Sequence, residues 1–281
     1  MIHLIATSTH HSVRLICQSL GLPRSSYYNA ALPTASQLSD VELGAAIGPI
    51  FHHHRRRYGY RRMCRQLALD GLVCSPDRVR RLMREKGWVA IQPRTYVPHT
   101  SDGRADLPSP NLLLDQPMPA QPNEVWAGDI TFIPSTDSWL YLAVIIDLCS
   151  RRILGWALAD HLRSDLVVAA LRQAIASTGG LIFHSDRGSQ YGSRRYRQLL
   201  AQAVMRQSMS ARATPYHNAW TESFMGTLKA EMLQDGCFLS MVDARSELFA
   251  YIDGYYNTQR LHSSLDYQSS ATFEAELVLS N

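Results

Sequence analysis

Three short apolar stretches separated by brief turns are the strongest constraint on how the second half of this chain can fold. Each is rich in β-branched or aromatic residues, and the turns are too short for crossover helices, so an antiparallel meander is predicted. Amphipathic helices then alternate with shorter apolar runs, which gives the order βββαβαβα and an α/β layer fold. The strands are predicted at Val125–Ile133, Trp139–Asp147, Arg152–Leu158, Leu181–His184 and Val204–Ser208. The helices are predicted at Ser164–Ser177, Arg194–Ala203, His217–Met232 and Met241–Tyr256.

A helical and basic region precedes the meander. Residues 1–104 hold 15 Lys and Arg against 6 Asp and Glu, whereas residues 105–281 hold 13 against 18. Two helix–break–helix pairs are candidate helix-turn-helix modules that bind DNA, although a solvated basic face on an ordinary helical domain would look similar. The helices are predicted at Thr9–Leu20, Arg24–Ala30, Ser39–Phe51, Arg61–Leu69 and Asp77–Lys86. The candidate DNA-binding residues here are Arg55, Arg56, Arg57, Arg61, Arg62, Arg78, Arg80, Arg81 and Arg84.

The two halves are joined by residues 92–123, which contain seven of the 13 prolines and show no apolar periodicity. Such a composition is typical of an extended linker. The predicted organisation is therefore a helical, helix-turn-helix-like DNA-binding region at 1–91, the linker, and an α/β core with a helical tail at 124–281. No secretory signal or membrane-spanning run is found, and the five scattered cysteines suit a reduced, cytoplasmic protein without a membrane partner.

Three carboxylates stand out by their surroundings. Asp129 lies inside an apolar strand, Asp186 directly follows another, and Glu222 lies on a predicted helix. Charged groups beside core strands are costly unless they are paired or bind metal, and hard oxygen ligands suit Mg²⁺ or Mn²⁺. Lys229 follows Glu222 by two helical turns on the same face, where it could hold a DNA phosphate.

Each carboxylate also has an ordinary structural interpretation. Asp129 alone could be a strand-edge residue, and Asp186 alone could stabilise a turn. Asp147, at the end of another strand, is the rival metal ligand, although an ion pair with Arg151 or Arg152 would explain it. The run His52–His54 with Cys64 and Cys74 does not have the spacing of a standard zinc site.

The segments Trp126–Thr131, Tyr141–Trp156, His184–Tyr191, Asn218–Lys229 and Tyr255–Leu265 resemble a known family. They are similar to the transposases of bacterial insertion sequences, in particular the second-frame product with a retroviral-integrase-like Asp-Asp-Glu core. The resemblance covers about residues 10–275. It implies an RNase H-like catalytic core, with Asp129, Asp186 and Glu222 as catalytic residues and ligands of two Mg²⁺ or Mn²⁺ ions, and Lys229 as a DNA contact.

The resemblance also implies what the protein acts on. It would cut and join strands at terminal inverted repeats and in target DNA, as a homo-oligomer on DNA in a nucleoid-associated, cytoplasmic setting. An upstream-frame helix-turn-helix and leucine-zipper segment, as a separate protein or a fusion, would be a further partner. Two other functions share the sequence pattern: an RNase H-like nuclease without strand transfer, and a DNA-binding regulator with an inactive core. The family tail has Ser-Pro where this chain has Ser269 and Ser270.

Overall fold

The computed structural model of the protein describes residues 17–19, 21, 35–92, 108–177, 179–210, 219–234 and 236–280. The chain divides into two compact units, Met1–Ile91 and Gln92–Asn281. Among the described residues, no helix has both the length and the apolar character needed to cross a lipid bilayer.

Three helices of the first unit lie within the described residues 35–92. They are α1 (Ala35–His53), α2 (Tyr60–Leu69) and α3 (Pro76–Glu85). The side chain of Ser75 accepts the N–H of Arg78 and Pro76 occupies the first turn, so the sequence marks the start of α3 clearly. Met63, Leu67 and Val79 are fully buried where α2 and α3 pack together. The predicted second helix pair is therefore confirmed, whereas the predicted pair at 9–30 lies almost wholly outside the described residues.

The second unit is built on a five-stranded sheet with the order β3-β2-β1-β4-β5. The strands are β1 (Val125–Pro134), β2 (Trp139–Asp147), β3 (Ile153–Ala159), β4 (Ile182–Ser185) and β5 (Arg206–Met209). The first three form the predicted antiparallel meander, and β4 and β5 join the other side of β1 in parallel. The central position of β1 is important because both of its neighbours fix its register.

Helices cover both faces of this sheet. They are α4 (Ser164–Ser177), α5 (Ser189–Gly192), α6 (Arg194–Gln202), α7 (Ala219–Met232), α8 (Met241–Tyr251) and α9 (Ser270–Ser280). One core cluster joins α4 and α6 to the sheet around Trp126, Leu171 and Phe183. The helix α7 packs against β1 and β2. The predicted order βββαβαβα is thus confirmed, with the short α5 inserted.

The structure differs from the predictions where backbone geometry interrupts an apolar pattern. The strand β5 begins at Arg206 because Val204 adopts a left-handed conformation, with φ of 57°, as α6 ends. The predicted single helix over 241–256 ends at Tyr251 and continues as a π-helical turn, Ile252–Tyr256. The helix α9 and a 3-10 turn at Ser263–Leu265 were not predicted.

The second half of the predicted linker is attached to the sheet. The N–H of Leu112 donates to Ser208 Oγ at 2.9 Å, and the carbonyl of Pro110 accepts the N–H of Met209 at 3.2 Å. Asn123 donates its N–H to Asp147 Oδ2 at 2.7 Å. Residues 109–112 therefore lie along β5 and residue 123 is held at the end of β2, so this part of the segment belongs to the second unit, while residues 93–107 lie outside the described residues.

Gly155 of β3 lies where α4 approaches the sheet most closely. A Cβ at this position would lie 2.3 Å from the Ala170 carbonyl oxygen and 2.8 Å from the Ala174 nitrogen, both backbone atoms. We expect Gly155→Ala to lower the free energy of unfolding by about 2 kcal/mol or more, because α4 must shift to admit the methyl group.

Gly226 in α7 is the matched control for this substitution, since a Cβ there would meet nothing within 4 Å. Gly226→Ala should raise the free energy of unfolding by roughly 0.5–1 kcal/mol through helix propensity. Urea unfolding followed by circular dichroism measures both variants. A Gly155→Ala protein as stable as the wild type would show that α4 does not constrain this position.

Candidate active site

Asp129 lies in the middle of β1, opposite Val144 of β2. Its neighbour Gly128 lies against Phe183, because a Cβ there would come within 2.5 Å of the aromatic ring. Successive side chains of a strand point to opposite faces, so Asp129 projects away from Phe183 and its hydrophobic cluster. One carboxylate oxygen accepts the N–H of Ile130 at 2.8 Å. The glycine therefore lets the sheet pack tightly on one face while the next residue presents a carboxylate on the other.

Asp186 is brought beside Asp129 by the parallel register of β1 and β4. Gly128 of β1 pairs with Ser185, the last residue of β4. The residues that follow these two are Asp129 and Asp186, which are therefore neighbours. The carboxylate of Asp186 accepts the N–H of Gly188 at 3.0 Å, which shapes the turn into α5. Thus the ordinary turn role proposed for Asp186 is present, and it coexists with a position next to Asp129.

The helix α7 supplies Glu222 and Lys229. The two are seven residues apart and therefore share one face of the helix. Both side chains are half-buried. Burial raises the pKa of Glu222 and lowers the pKa of Lys229. The negative charge of Asp129, in contrast, raises the pKa of Lys229. The lysine is thus held within electrostatic range of the carboxylate on β1.

The electrostatics of Asp129 show that this site carries an excess of negative charge. Burial first, and repulsion from Asp186 second, raise the pKa of Asp129 to about 8. Glu222 raises this pKa further, whereas the Ile130 N–H and Lys229 lower it. At neutral pH the carboxyl group therefore holds a proton unless a cation takes its place.

The donor set fits a hard divalent cation, because it consists of carboxylates without a histidine or cysteine. In the described part of the chain, however, no three His, Cys, Asp or Glu side chains come close enough to hold one metal ion together. The carboxylates interact through their charges but do not converge to liganding distance. Residues 211–218, which lead into α7, lie outside the described residues.

The rival carboxylate, Asp147, has a structural role. It is fully buried, and its Oδ1 accepts hydrogen bonds from Ser150 and from the N–H of Cys149, while Oδ2 accepts the N–H of Asn123. The interpretation as an ion pair with Arg152 is wrong, since Arg152 pairs with Glu274 at 2.6 Å. Because both oxygens are already engaged, Asp147 closes the turn after β2 and holds residue 123 against the sheet.

His184 is also structural. It is fully buried in β4, and its Nδ1 lies 2.8 Å from Ser208 Oγ of β5. The two side chains tie β4 to the edge strand β5, along which residues 109–112 lie. The structure therefore supports a packed histidine at this position.

In the first unit, the candidate arginines differ in what they contact. Arg78 and Arg81 both bind the carboxylate of Asp40 at 2.5 Å, and these two hydrogen bonds lower the pKa of Asp40. Arg57 is buried, and Arg56 adopts a left-handed backbone that ends α1. Arg61 and Arg80 lie 5.6 and 5.7 Å from the centre of the Tyr60 ring. The exposed members of the set are Arg55, Arg56, Arg61, Arg80 and Arg84, and Arg62 is half-buried.

No role was predicted for a second group of charged residues, Glu231 and Arg260. Their side chains form a buried ion pair with 2.8 Å between Nη2 and Oε1. Both residues fall in or beside the segments that carry the family resemblance, but nothing in a linear sequence shows that they meet. The only sequence signals for this pair are an acidic residue on a predicted helix and a basic residue in the tail, and neither signal identifies its partner.

Comparison with known proteins assigns both units. Residues 39–96 match a family model described as an HTH-like domain, and residues 119–215 and 203–269 match two models described as integrase core domains. The first integrase match spans all five strands and confirms the predicted RNase H-like core. The HTH-like match spans α2 and α3 and confirms the predicted helix-turn-helix-like region.

Several relatives align along nearly their whole length. A transposase for insertion sequence element IS904 of Lactococcus lactis is 40% identical over 245 residues, 86% of this chain and 97% of the relative. The InsF transposase for insertion sequence IS3A of Escherichia coli is 32% identical over 271 residues, 94% of each chain. A 31 kDa protein of insertion element IS600 from Shigella sonnei is 38% identical over 264 residues, 92% and 97% of the two chains.

Solved structures match this chain at lower similarity. A simian T-cell lymphotropic virus intasome chain has a TM-score of 0.48 at 17% identity and covers 75% of this chain and 70% of its own length. The HTLV-2 integrase catalytic core domain in complex with magnesium has a TM-score of 0.43 at 18% identity and covers 54% and 97%.

The raised pKa of Asp129 generates a prediction about stability. The folded value of about 8 lies above the unfolded value of about 4, so the folded chain binds more protons between these pH values. Without divalent cations, the free energy of unfolding should therefore be greatest below about pH 4 and fall by roughly 1.4 kcal/mol for each pH unit between pH 4 and 8. The free energy of unfolding, measured in urea and chelator at several pH values, checks this expectation.

Asp129→Asn should remove most of that pH dependence. Asp137→Asn is the matched control, since Asp137 lies on the exposed turn between β1 and β2. The control should follow the wild-type curve. Parallel curves for wild type and Asp129→Asn would mean that Asp129 titrates normally and that the site does not carry excess negative charge.

Proposed function

This chain belongs to the insertion-sequence transposases with an integrase core domain, and we propose that it cuts and joins DNA strands at the ends of such an element. It is a DNA transposase, an enzyme of the polynucleotidyl-transferase class. The observation that supports our mechanism best is the register of β1 and β4, which makes Asp129 and Asp186 neighbours. The helix α7 adds Glu222 and Lys229 to the same region.

Asp129, Asp186 and Glu222 would hold two Mg²⁺ or Mn²⁺ ions. When bound, a pair of such ions activates the attacking oxygen and stabilises the leaving oxygen of an in-line phosphoryl transfer. The protein's own contribution is a half-buried site rich in carboxylates, in which Asp129 would release its proton when a cation is bound. Lys229 would bind a phosphate of the DNA beside the reacting group, where its partial burial strengthens the attraction.

The first unit would hold the DNA. Arginines bind phosphates strongly, and a module with exposed arginines on one helix face can contact the backbone and the base edges together. Arg80 and Arg84 are one turn apart on the exposed face of α3, and Arg61 joins Arg80 at Tyr60. The substrates would be terminal inverted repeats and target DNA, gathered by more than one copy of the chain, with an upstream-frame helix-turn-helix segment as a further partner.

The catalytic proposal predicts the effect of removing each carboxylate. Asp129→Asn, Asp186→Asn and Glu222→Gln should each reduce cleavage and joining by at least about 10³-fold while DNA binding is largely kept, because the three act as one unit. The assay incubates the full chain with duplexes from the two ends of its own DNA element and Mg²⁺, and scores nicked and joined products on one gel.

Asp137→Asn is the control for this series and should be fully active. Nicked products without joined ones in the wild type would identify a nuclease without strand transfer. Binding without either product would identify a regulator with an inactive core. Full activity of Asp129→Asn would show that the wrong carboxylates have been assigned.

The contacts of the arginines predict a division between binding and stability. Arg80→Gln with Arg84→Gln should weaken DNA binding and lower the slope of log affinity against log salt by roughly 1–2, since each phosphate contributes about 0.9. Arg78→Gln with Arg81→Gln should instead lower the thermal midpoint, because Asp40 loses both of its partners. Fluorescence anisotropy at several salt concentrations and thermal unfolding measure the two effects.

The two double variants serve as controls for each other, since each removes two arginines from the same helix. A lower salt slope for the Arg78 and Arg81 variant at an unchanged thermal midpoint would contradict the assignment. In that case the ion pairs with Asp40 would open when DNA binds.

A further inference from the structure

The helix α7 presents charged groups on two nearly opposite sides. Glu222 and Lys229 share one side, and Phe224 and Glu231, displaced from them by two residues each, share the other. The first pair faces the carboxylates of β1 and β4. The second pair faces the C-terminal tail, which here means residues 251–262 and begins at the last residue of α8. Any rotation of α7 about its own axis would therefore move both sets of residues together.

The tail contacts α7 through directional interactions. The guanidinium of Arg260 donates from Nη2 to Glu231 Oε1 at 2.8 Å and from Nε to Oε1 and Oε2 at 3.1 and 3.3 Å. Tyr251 donates its hydroxyl to Glu231 Oε2 at 2.9 Å. The ring of Tyr256 lies edge-on to Phe224 at 4.8 Å, with the Arg260 guanidinium 5.6 Å from the Tyr256 ring centre. One short segment thus contacts α7 at two residues, Phe224 and Glu231, which lie two helical turns apart.

The tail is itself fixed to the sheet that carries Asp129. The side chain of Asn257 accepts the N–H of Ile153 and donates to its carbonyl, both at 2.9 Å, so it extends the pairing of β3 by one residue. Trp156 of β3 donates its indole N–H to Asp253 at 3.0 Å. The tail is therefore hydrogen-bonded to β3 through Asn257 and Asp253 and to Glu231 of α7 through Tyr251 and Arg260.

The pair is placed where its geometry matters. Glu231 and Arg260 are only 7% and 6% exposed, so the pair is shielded from water. Because hydrogen bonds between a guanidinium and a carboxylate are directional, the two side chains can meet in only a narrow range of orientations. Most of the rest of the buried face of α7, including Met225 and Leu228, is apolar, with Thr221 as its one polar residue, and apolar contacts do not select one rotation sharply. The sheet side of the helix alone would thus leave the direction of Glu222 and Lys229 loosely defined.

We propose that the buried pair of Glu231 and Arg260 is a positioning device that sets the rotation of α7, and with it the directions of Glu222 and Lys229 toward Asp129. The inference rests on the proposed function, since it concerns the same catalytic carboxylates. Neither residue touches the reacting groups. Both affect the catalytic carboxylates only by orienting α7, and they contact this helix on the side opposite Glu222 and Lys229.

The test removes the pair without leaving a buried charge. Glu231→Leu combined with Arg260→Met replaces it by apolar side chains of similar volume, a change that folded proteins tolerate well. The full chain with these substitutions should keep its thermal midpoint and its affinity for end DNA. Its turnover in cleavage and joining with Mg²⁺ should fall roughly 10- to 100-fold, because small displacements of catalytic groups are costly.

Arg260→Lys provides a second variant that keeps the charge. Lysine cannot form the two parallel N–H···O bonds, so turnover should fall here too, with little change in folding. Adding Lys229→Ala to either variant should reduce activity by less than Lys229→Ala does in the wild type, because both changes act through the same group. A merely structural pair would give independent effects.

The matched control removes a different ion pair of the same unit, that of Arg152, which directly precedes β3, with Glu274 of α9. Arg152→Met with Glu274→Leu should leave turnover unchanged. Full turnover in both Arg260 variants, or an equal loss in the control, would overturn the proposal. If the double apolar variant does not fold, Arg260→Lys alone decides the question.

Hydrogen exchange separates this inference from the proposed function. In both Arg260 variants, amides of α7 should exchange faster than in the wild type, while those of β1 and β2 are unchanged. A wild type that neither cuts nor joins DNA would defeat the proposed function, and the exchange data would still test the positioning of α7. Unchanged exchange in α7 together with unchanged turnover would reject the positioning role alone.

Discussion

The adjacency of Asp129 and Asp186 is the constraint on which the second unit depends. Parallel pairing of β1 with β4 leaves two carboxylates at neighbouring positions, and the repulsion between them adds to the cost of burying Asp129. The sheet can bear this cost because its other face is a continuous apolar cluster under α4 and α6. Gly128 contributes by letting Phe183 pack directly beneath the site. The unfavourable charge is thus fixed in place by favourable packing on the opposite side.

Most of this sheet could be predicted from the sequence because each strand can be recognised from its own residues and the turns beside it. An apolar run of strand length, bounded by turn residues, identifies β1, β2 and β3 without any knowledge of their partners. The prediction of β5 failed by two residues, since apolarity does not show that Val204 adopts a left-handed backbone after α6. The π-helical turn at Ile252–Tyr256 was missed for a similar reason, because it continues the helical pattern while changing the direction of the side chains.

The candidate site was predictable in its residue types and not in its surroundings. Asp129, Asp186 and Glu222 were identified as carboxylates at the ends or centres of regular elements, and the position of Asp129 relative to Asp186 follows from the sheet. A count of arginines, in contrast, cannot distinguish a side chain free to meet DNA from one held by Asp40, which lies far away in sequence from Arg78 and Arg81. Asp147 presents a related difficulty. In the sequence it resembles a metal ligand, whereas in the structure its buried carboxylate is already occupied by nearby N–H groups.

Strands and helices differ in how well they can fix a catalytic group. The position of Asp129 relative to Asp186 is set by ladder hydrogen bonds, which permit one register and one direction for each side chain. The helix α7 satisfies its own backbone and meets the sheet through side chains, so its rotation depends on what packs around it. A site that combines two strand residues with a helix residue therefore needs directional contacts on the helix from elsewhere. The tail supplies them through Asn257, Tyr251 and Arg260, which accounts for the buried polar groups found so far from the chemistry.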